Sequence, residues 1–178
     1  DTITNINAND ILVVSSGATA QVTVDTSWTA KNTSTNSGTA NINTNGFSVD
    51  LSVAVGTAGW SITNKGTAAT LTGSALGDTI SGGAGDDTID GSLGADTISG
   101  GGVADKITGG IGVDTLTGGS GSDTFVQQTS DIDTTAGAVT DVIIDFSGSD
   151  GDRIDGASVG SLTNYLEAVS TVASLSDL

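Results

Sequence analysis

From Val53 onward the large apolar residues fall on a beat of nine, through Ile62, Leu71, Ile80, Ile89, Ile98, Ile107, Leu116 and Phe125. Between them lie Gly, Asp, Ser and Thr. This pattern predicts a short strand in each unit, with one apolar residue pointing inward and a turn on either side. Two units close one coil of 18 residues, so residues 18 apart stack at the strand spacing of roughly 4.8 Å. The beat reaches back past the Gly and Asp positions, so the coil is expected to begin before them.

Outside this stretch the patterning differs. Residues 1–62 are rich in Thr, Ser, Asn and Ala, with alternation at Val22 and Val24 and again at Phe47, Val49, Leu51, Val53 and Val55. Period-two alternation predicts strands with one buried face, and Gly17, Gly38, Gly46 and Gly56 mark turns between them. After residue 126 the spacing breaks. Leu162, Leu166, Val169 and Ala173 recur at helical intervals behind Gly160 and Ser161, which predicts a short helix over 161–172 covering the end of the stack. The chain thus divides into a Thr/Ser/Asn-rich β region at 1–62, open to reading as a metal-free solenoid, a repeat region at 63–126, and a capping segment at 127–178.

The repeat region holds six consecutive nonapeptides from residue 73 to 126: GSALGDTIS, GGAGDDTID, GSLGADTIS, GGGVADKIT, GGIGVDTLT and GGSGSDTFV. The sixth place is always Asp, at Asp78, Asp87, Asp96, Asp105, Asp114 and Asp123. With an 18-residue coil these form two columns, Asp78, Asp96 and Asp114 on one side and Asp87, Asp105 and Asp123 on the other. Carboxylates one strand spacing apart repel by about 1 kcal/mol in water and about 3 at an effective dielectric near 20. Such columns call for a cation. The turns are also rich in Gly, which lets backbone carbonyls converge. Carboxylates and carbonyls are the hard oxygen ligands that calcium prefers, and with no His and no Cys in the chain a zinc centre is excluded.

Composition sharpens this picture. The formal net charge is −17, from 21 acidic residues against Lys31, Lys65, Lys106 and Arg153, and fifteen of the acids lie between Asp78 and Asp155. Nucleic acid and anionic membrane are poor partners for such a surface. Three per cent aromatic residues and no Pro, Cys or Met suit a thin aliphatic ladder better than a thick core. No apolar run is long enough to cross a membrane as a helix. The absence of Met and of a basic leader suggests a piece of a longer protein.

Catalysis is not expected. Without His or Cys there is no Ser/His/Asp triad and no Cys nucleophile, and every carboxylate pair belongs to a repeated column. Strand residues beside the inward one point outward, stacking Thr79, Thr97 and Thr115 beside Ser81, Ser99 and Thr117. This hydroxyl ladder could meet ice or a sugar surface, although Thr is also simply a good strand former. Lys106 and Asp90 interrupt the opposite face.

These nonapeptides resemble the RTX, or haemolysin-type calcium-binding, repeats. The resemblance implies an all-β fold, a right-handed parallel β-roll with calcium between its turns, in a secreted bacterial protein exported by type I secretion. It also implies the ligands: one turn gives carbonyls from its second and fourth places and its Asp, and the turn 18 residues on gives carbonyls from its first and third places and its own Asp. Carried over, one site takes Ser74, Leu76 and Asp78 with Gly91, Leu93 and Asp96. A second takes Gly83, Gly85 and Asp87 with Gly100, Gly102 and Asp105. A third takes Ser92, Gly94 and Asp96 with Gly109, Ile111 and Asp114, and a fourth takes Gly101, Val103 and Asp105 with Gly118, Ser120 and Asp123. About four or more calcium ions are implied. Leu76 and Val103 stand where the family has Gly.

The stretch DVIIDF followed by DRID resembles the segment after the roll in that family. It offers Asp141, Asp145, Asp150, Asp152 and Asp155 either as further ligands or as solvated turn acids. The family's terminal secretion signal is expected to be missing. The resemblance leaves the parent open between a surface-layer or other cell-surface protein, an adhesin, and a secreted protease, lipase or epimerase. The Thr, Ser, Asn and Ala richness of the first part favours a surface-layer protein, in which self-association would be a further partnership.

Overall fold

The computed structural model describes residues 1–128 and 141–156. Short strands with one inward residue, joined by Gly-rich turns, cannot bury an apolar face alone. They stack instead into an all-β parallel solenoid of about seven turns. Its first sheet has eight strands in stacking order, Thr2–Ile6, Thr19–Val24, Thr39–Thr44, Trp60–Asn64, Thr79–Gly83, Thr97–Gly102, Thr115–Ser120 and Val142–Ile143. The second has seven, from Trp28–Thr29 through Val49–Asp50, Thr70–Thr72, Thr88–Asp90, Lys106–Thr108 and Thr124–Val126 to Arg153–Asp155.

The core is the ladder between these sheets. Ile80 pairs in register with Ile98 and Ile98 with Leu116, while Leu71 pairs with Ile89, Ile89 with Ile107 and Ile107 with Phe125. All seven are buried. On the outer face of the first sheet Thr79, Thr97 and Thr115 stack in one column and Ser81, Ser99 and Thr117 in the next, without a charged side chain. On the second sheet Asp90 stacks on Thr108, and Lys106 between Thr88 and Thr124.

The same two sheets run unbroken into the N-terminal part. Ile80 pairs with Ile62, Ile62 with Ile42 and Ile42 with Val22, and on the other side Leu71 pairs with Val49 and Val49 with Trp28. Here the coil is longer than 18 residues because it has a third side, a sheet of Val13–Val14, Thr35–Asn36 and Val55–Gly56.

That third side corrects two expectations. The nine-residue beat does not extend to Val53, which is 47% exposed; Val49 takes the inward place under Leu71. The alternation from Phe47 to Val55 is not one strand either. Val49 and Leu51 are buried, but a turn closed by the Ala54 N–H on the Leu51 carbonyl (2.8 Å) sends the chain onto the third side with Val53 and Val55 outward.

At the other end Ile143 stacks on Leu116 and Ile154 on Phe125. Phe146 packs over Phe125 with ring centroids 6.3 Å apart. The helix expected over 161–172 lies outside the described residues.

Candidate metal centre

Each repeat ends its turn on an Asp whose side chain folds back into the stack. The carboxylate Oδ1 accepts a hydrogen bond from the backbone N–H of the residue 18 positions earlier. Asp78 N–H donates to Asp96 (2.7 Å), Asp96 N–H to Asp114 (2.8 Å), Asp87 N–H to Asp105 (2.8 Å) and Asp105 N–H to Asp123 (2.8 Å). The Asp columns expected from the repeat are therefore hydrogen-bonded ladders. At their lower ends Asp78 accepts from the Trp60 N–H, and Asp87 from the Ala69 N–H (2.7 Å).

The second oxygen tells a different story. All six repeat carboxylates are buried, and Oδ2 of Asp87, Asp96, Asp105 and Asp123 has no hydrogen-bond partner. A buried carboxylate oxygen left in this way is costly, and the protein answers by disfavouring the charge. Burial raises the pKa of Asp96 and Asp105 to about 7, with neighbouring acids of the same column adding to the shift against the relief given by the backbone N–H. Asp78, Asp87 and Asp123 are raised for the same first cause. A bound divalent cation would satisfy these oxygens and hold the carboxylates ionised, so the residues present fit calcium.

The first-place Gly explains how the oxygens are reached. A Cβ at Gly82 would stand 2.7 Å from Asp87 Oδ2 and 2.5 Å from the Gly100 carbonyl oxygen, so any larger residue would fill the space the carboxylate occupies. Gly73, Gly91, Gly100, Gly109 and Gly118 face their own repeat's Asp in the same way. Among the described residues no three acidic side chains converge on one point. An ion between turns must then complete its shell from backbone carbonyls.

Several of those carbonyls are directed along the stack. Ser74 C=O accepts from Leu93 N–H (3.3 Å), Ser92 C=O from Ile111 N–H (2.8 Å) and Ile111 C=O from Gly94 N–H (2.9 Å). A carbonyl oxygen has a second lone pair for a cation. At the two places lacking the family's Gly the backbone behaves differently. Val103 adopts a left-handed φ of 64°, whereas Leu76 does not. Ser92 is also left-handed, with φ 78°.

Ser74 holds a role that its ligand assignment did not foresee. Its N–H and hydroxyl both donate to Asp78 Oδ2, at 2.6 and 3.0 Å. Asp78 is therefore satisfied by protein groups where Oδ2 of Asp96, one coil above it, is not. The signal was present: Ser stands in the second place, four residues before the Asp.

The later acids separate. Asp141 Oδ1 accepts from Asp114 N–H (2.9 Å) and Asp152 Oδ1 from Asp123 N–H (2.9 Å), so these two continue the columns although they follow by 27 and 29 residues rather than 18. Asp145 instead accepts from the N–H groups of Gly118 (2.9 Å) and Gly119 (2.8 Å). The side chains of Asp150 and Asp155 lie exposed.

The family model of the RTX calcium-binding nonapeptide repeat (4 copies) matches residues 72–107 and 94–125. No curated protein and no solved structure matches the chain. The matched residues are those whose acids form the two buried columns, so the stretch 72–125 is a run of RTX calcium-binding nonapeptide repeats and builds a calcium-binding β-roll.

Proposed function

We propose that this roll is a structural element of a secreted bacterial protein of the surface-layer or another cell-surface type, which calcium folds after type I secretion. The observation that carries the reading is the row of buried Oδ2 atoms on Asp87, Asp96, Asp105 and Asp123 without partners. A chain with this feature is poorly stable without cations and gains stability for every ion that binds only the folded form, by about RT ln(1 + [L]/Kd) per site. Extracellular calcium sites have affinities of roughly 10⁻⁴ to 10⁻³ M, so the roll would stay open in a low-calcium cytosol and close outside.

The four ligand sets built on Asp78 with Asp96, Asp87 with Asp105, Asp96 with Asp114 and Asp105 with Asp123 are the proposed sites. Asp141 and Asp152 would add one step to each column. In this reading the described residues do no chemistry and serve as a calcium-dependent scaffold; the alternative is a non-catalytic module of an adhesin or of a secreted enzyme. Its preference for a cell surface rests on the Thr, Ser and Asn richness of the first coils and the uncharged outer face of the first sheet.

Circular dichroism during a calcium titration tests it. The expected result is loss of most β structure from the repeat region in a chelator and a steep recovery in the submillimolar to millimolar range. A spectrum indifferent to the chelator overturns the calcium reading, and a Hill coefficient near one or a midpoint below about a micromolar overturns the secretion-linked switch.

A further inference from the structure

The two parts of the solenoid share their sheets but not their corner chemistry. In the repeats the buried corner groups are the six carboxylates together with Ser74, whereas in residues 1–72 they are Ser34, Asn36, Thr44 and Asn64, all uncharged. Asn64 shows the difference most fully. Its Oδ1 accepts from Gly46 N–H (2.8 Å), Gly66 N–H (2.9 Å) and the Thr44 hydroxyl (3.0 Å), and its Nδ2 donates to the Thr67 carbonyl (2.8 Å). An amide carries both donor and acceptor, so it closes a corner by itself where a carboxylate needs a cation. Among the buried side-chain polar atoms of this part only Trp60 Nε1 has no partner.

Core size follows the same division. Among the described residues, seventeen of the 24 buried apolar ones lie in residues 1–72, Trp28 and Trp60 among them. The coils at 79–126 hold six, one for each strand. The apolar burial that drives folding is thus concentrated where there is no buried charge.

The boundary is also prepared. The first acid of each column is bonded to the metal-free coils, Asp78 by the Trp60 N–H and Asp87 by both the Ala69 N–H (2.7 Å) and Asn64 Nδ2 (3.2 Å). Ser74 supplies the remaining bonds to Asp78. The first repeat coil can dock on the coil below it before any ion arrives.

We propose that residues 1–72 form a calcium-independent seed that remains folded without the ion and templates the roll, which then adds coils from Asp78 and Asp87 upward as calcium binds. This inference rests on the calcium reading above. It sets a direction: ordered edges at Trp60–Asn64 and Thr70–Thr72 present paired strands to the incoming chain, so each new coil closes against a formed neighbour and avoids a fresh nucleus.

Hydrogen exchange on the intact chain, read by peptide, tests the proposal. In excess chelator the peptides within 2–64 should stay protected by a hundredfold or more while those within 79–126 exchange as unfolded chain. Stepwise calcium should protect 79–90 before 115–126. Asn64→Ala, which removes no calcium ligand, should raise the calcium midpoint of the repeat region several-fold. Exchange of 2–64 at the unfolded rate in chelator, protection of 115–126 before 79–90, or an unshifted midpoint in Asn64→Ala each overturns the seed while leaving calcium binding intact. Protection of 79–126 that is full in chelator and unaltered by calcium overturns the seed together with the calcium reading.

Discussion

The carboxylate of Asp96 reaches back across one coil to accept the backbone N–H of Asp78 at 2.7 Å, while its other oxygen is buried without a partner. One side chain therefore does two separable things. It closes a corner of the stack, and it waits for a cation.

Substitution can divide these roles. Asp96→Asn keeps an oxygen for the Asp78 N–H and removes the charge, so the calcium-free fold should become more stable while calcium stoichiometry falls. Asp96→Ala should lose both, with a cost of about 1–3 kcal/mol for the buried N–H left unpaired in addition to the lost ions. Calorimetric titration should show two ions lost for Asp96→Ala or Asp105→Ala and one for Asp78→Ala, since Asp78 belongs to a single proposed site. Equal stoichiometric losses at Asp78 and Asp96 would contradict sharing of Asp96 between neighbouring sites.

The raised carboxylates make stability depend on pH in an unusual sense. In the calcium-free fold Asp96 and Asp105 hold their protons up to about pH 7, against a reference value of 3.8. A folded-state pKa above the unfolded one gives stability that is fully present below the unfolded value and is lost as pH rises through the folded value. The calcium-free roll should therefore melt at higher temperature near pH 5 than near pH 8, and the calcium concentration needed for folding should rise as pH falls below 7. Thermal melts in calcium-free buffer check the first statement. A melting temperature that is flat or climbs from pH 5 to pH 8 would count against it, and the pair Asp96→Asn with Asp105→Asn should flatten the slope.

Two positions without the family's Gly should respond in opposite directions. Val103 holds a φ of 64°, a region that costs a β-branched residue about 1–2 kcal/mol. Val103→Gly should then stabilise the calcium-loaded roll by about 1 kcal/mol after allowing for the greater freedom of Gly in the unfolded chain. Leu76 has no such strain, and Leu76→Gly should be neutral or destabilising by about 0.5 kcal/mol. Chemical denaturation of the two variants at saturating calcium distinguishes them; a gain at Leu76 with none at Val103 would sink the assignment of strain.

The repeat coils were legible in the sequence because the nonapeptide states every requirement at once: an inward apolar residue, an acid that folds back, and a Gly whose missing Cβ makes room for it. The N-terminal coils were legible only in part. Their third side is made of two-residue strands, too short to leave a period, and Val53 fell on the beat while Val49 took the inward place. Asp141 and Asp152 were hidden among five candidates by the longer steps of 27 and 29 residues, although each still heads an Asp, any residue, apolar triplet: Asp141, Val142, Ile143 and Asp152, Arg153, Ile154. The part played by Asn64 needs the fold, since its partners Thr44, Gly46 and Asp87 meet it only across coils.

Stacking at 18 residues also gives the roll something like a reading frame. Removing a whole coil, residues 91–108, would join two repeats without change of phase, and Asp114 would take the place of Asp96. Removing one nonapeptide, residues 91–99, would turn everything above it by half a coil. Lys106 would then stand on the first sheet directly above Thr79, in the middle of a face that now carries only hydroxyls in those columns. Insertions and deletions are therefore neutral to this surface in units of 18 and disruptive in units of nine, and in the first four repeats the alternation between those ending in TIS and those carrying Asp90 or Lys106 is the mark of which side each must face.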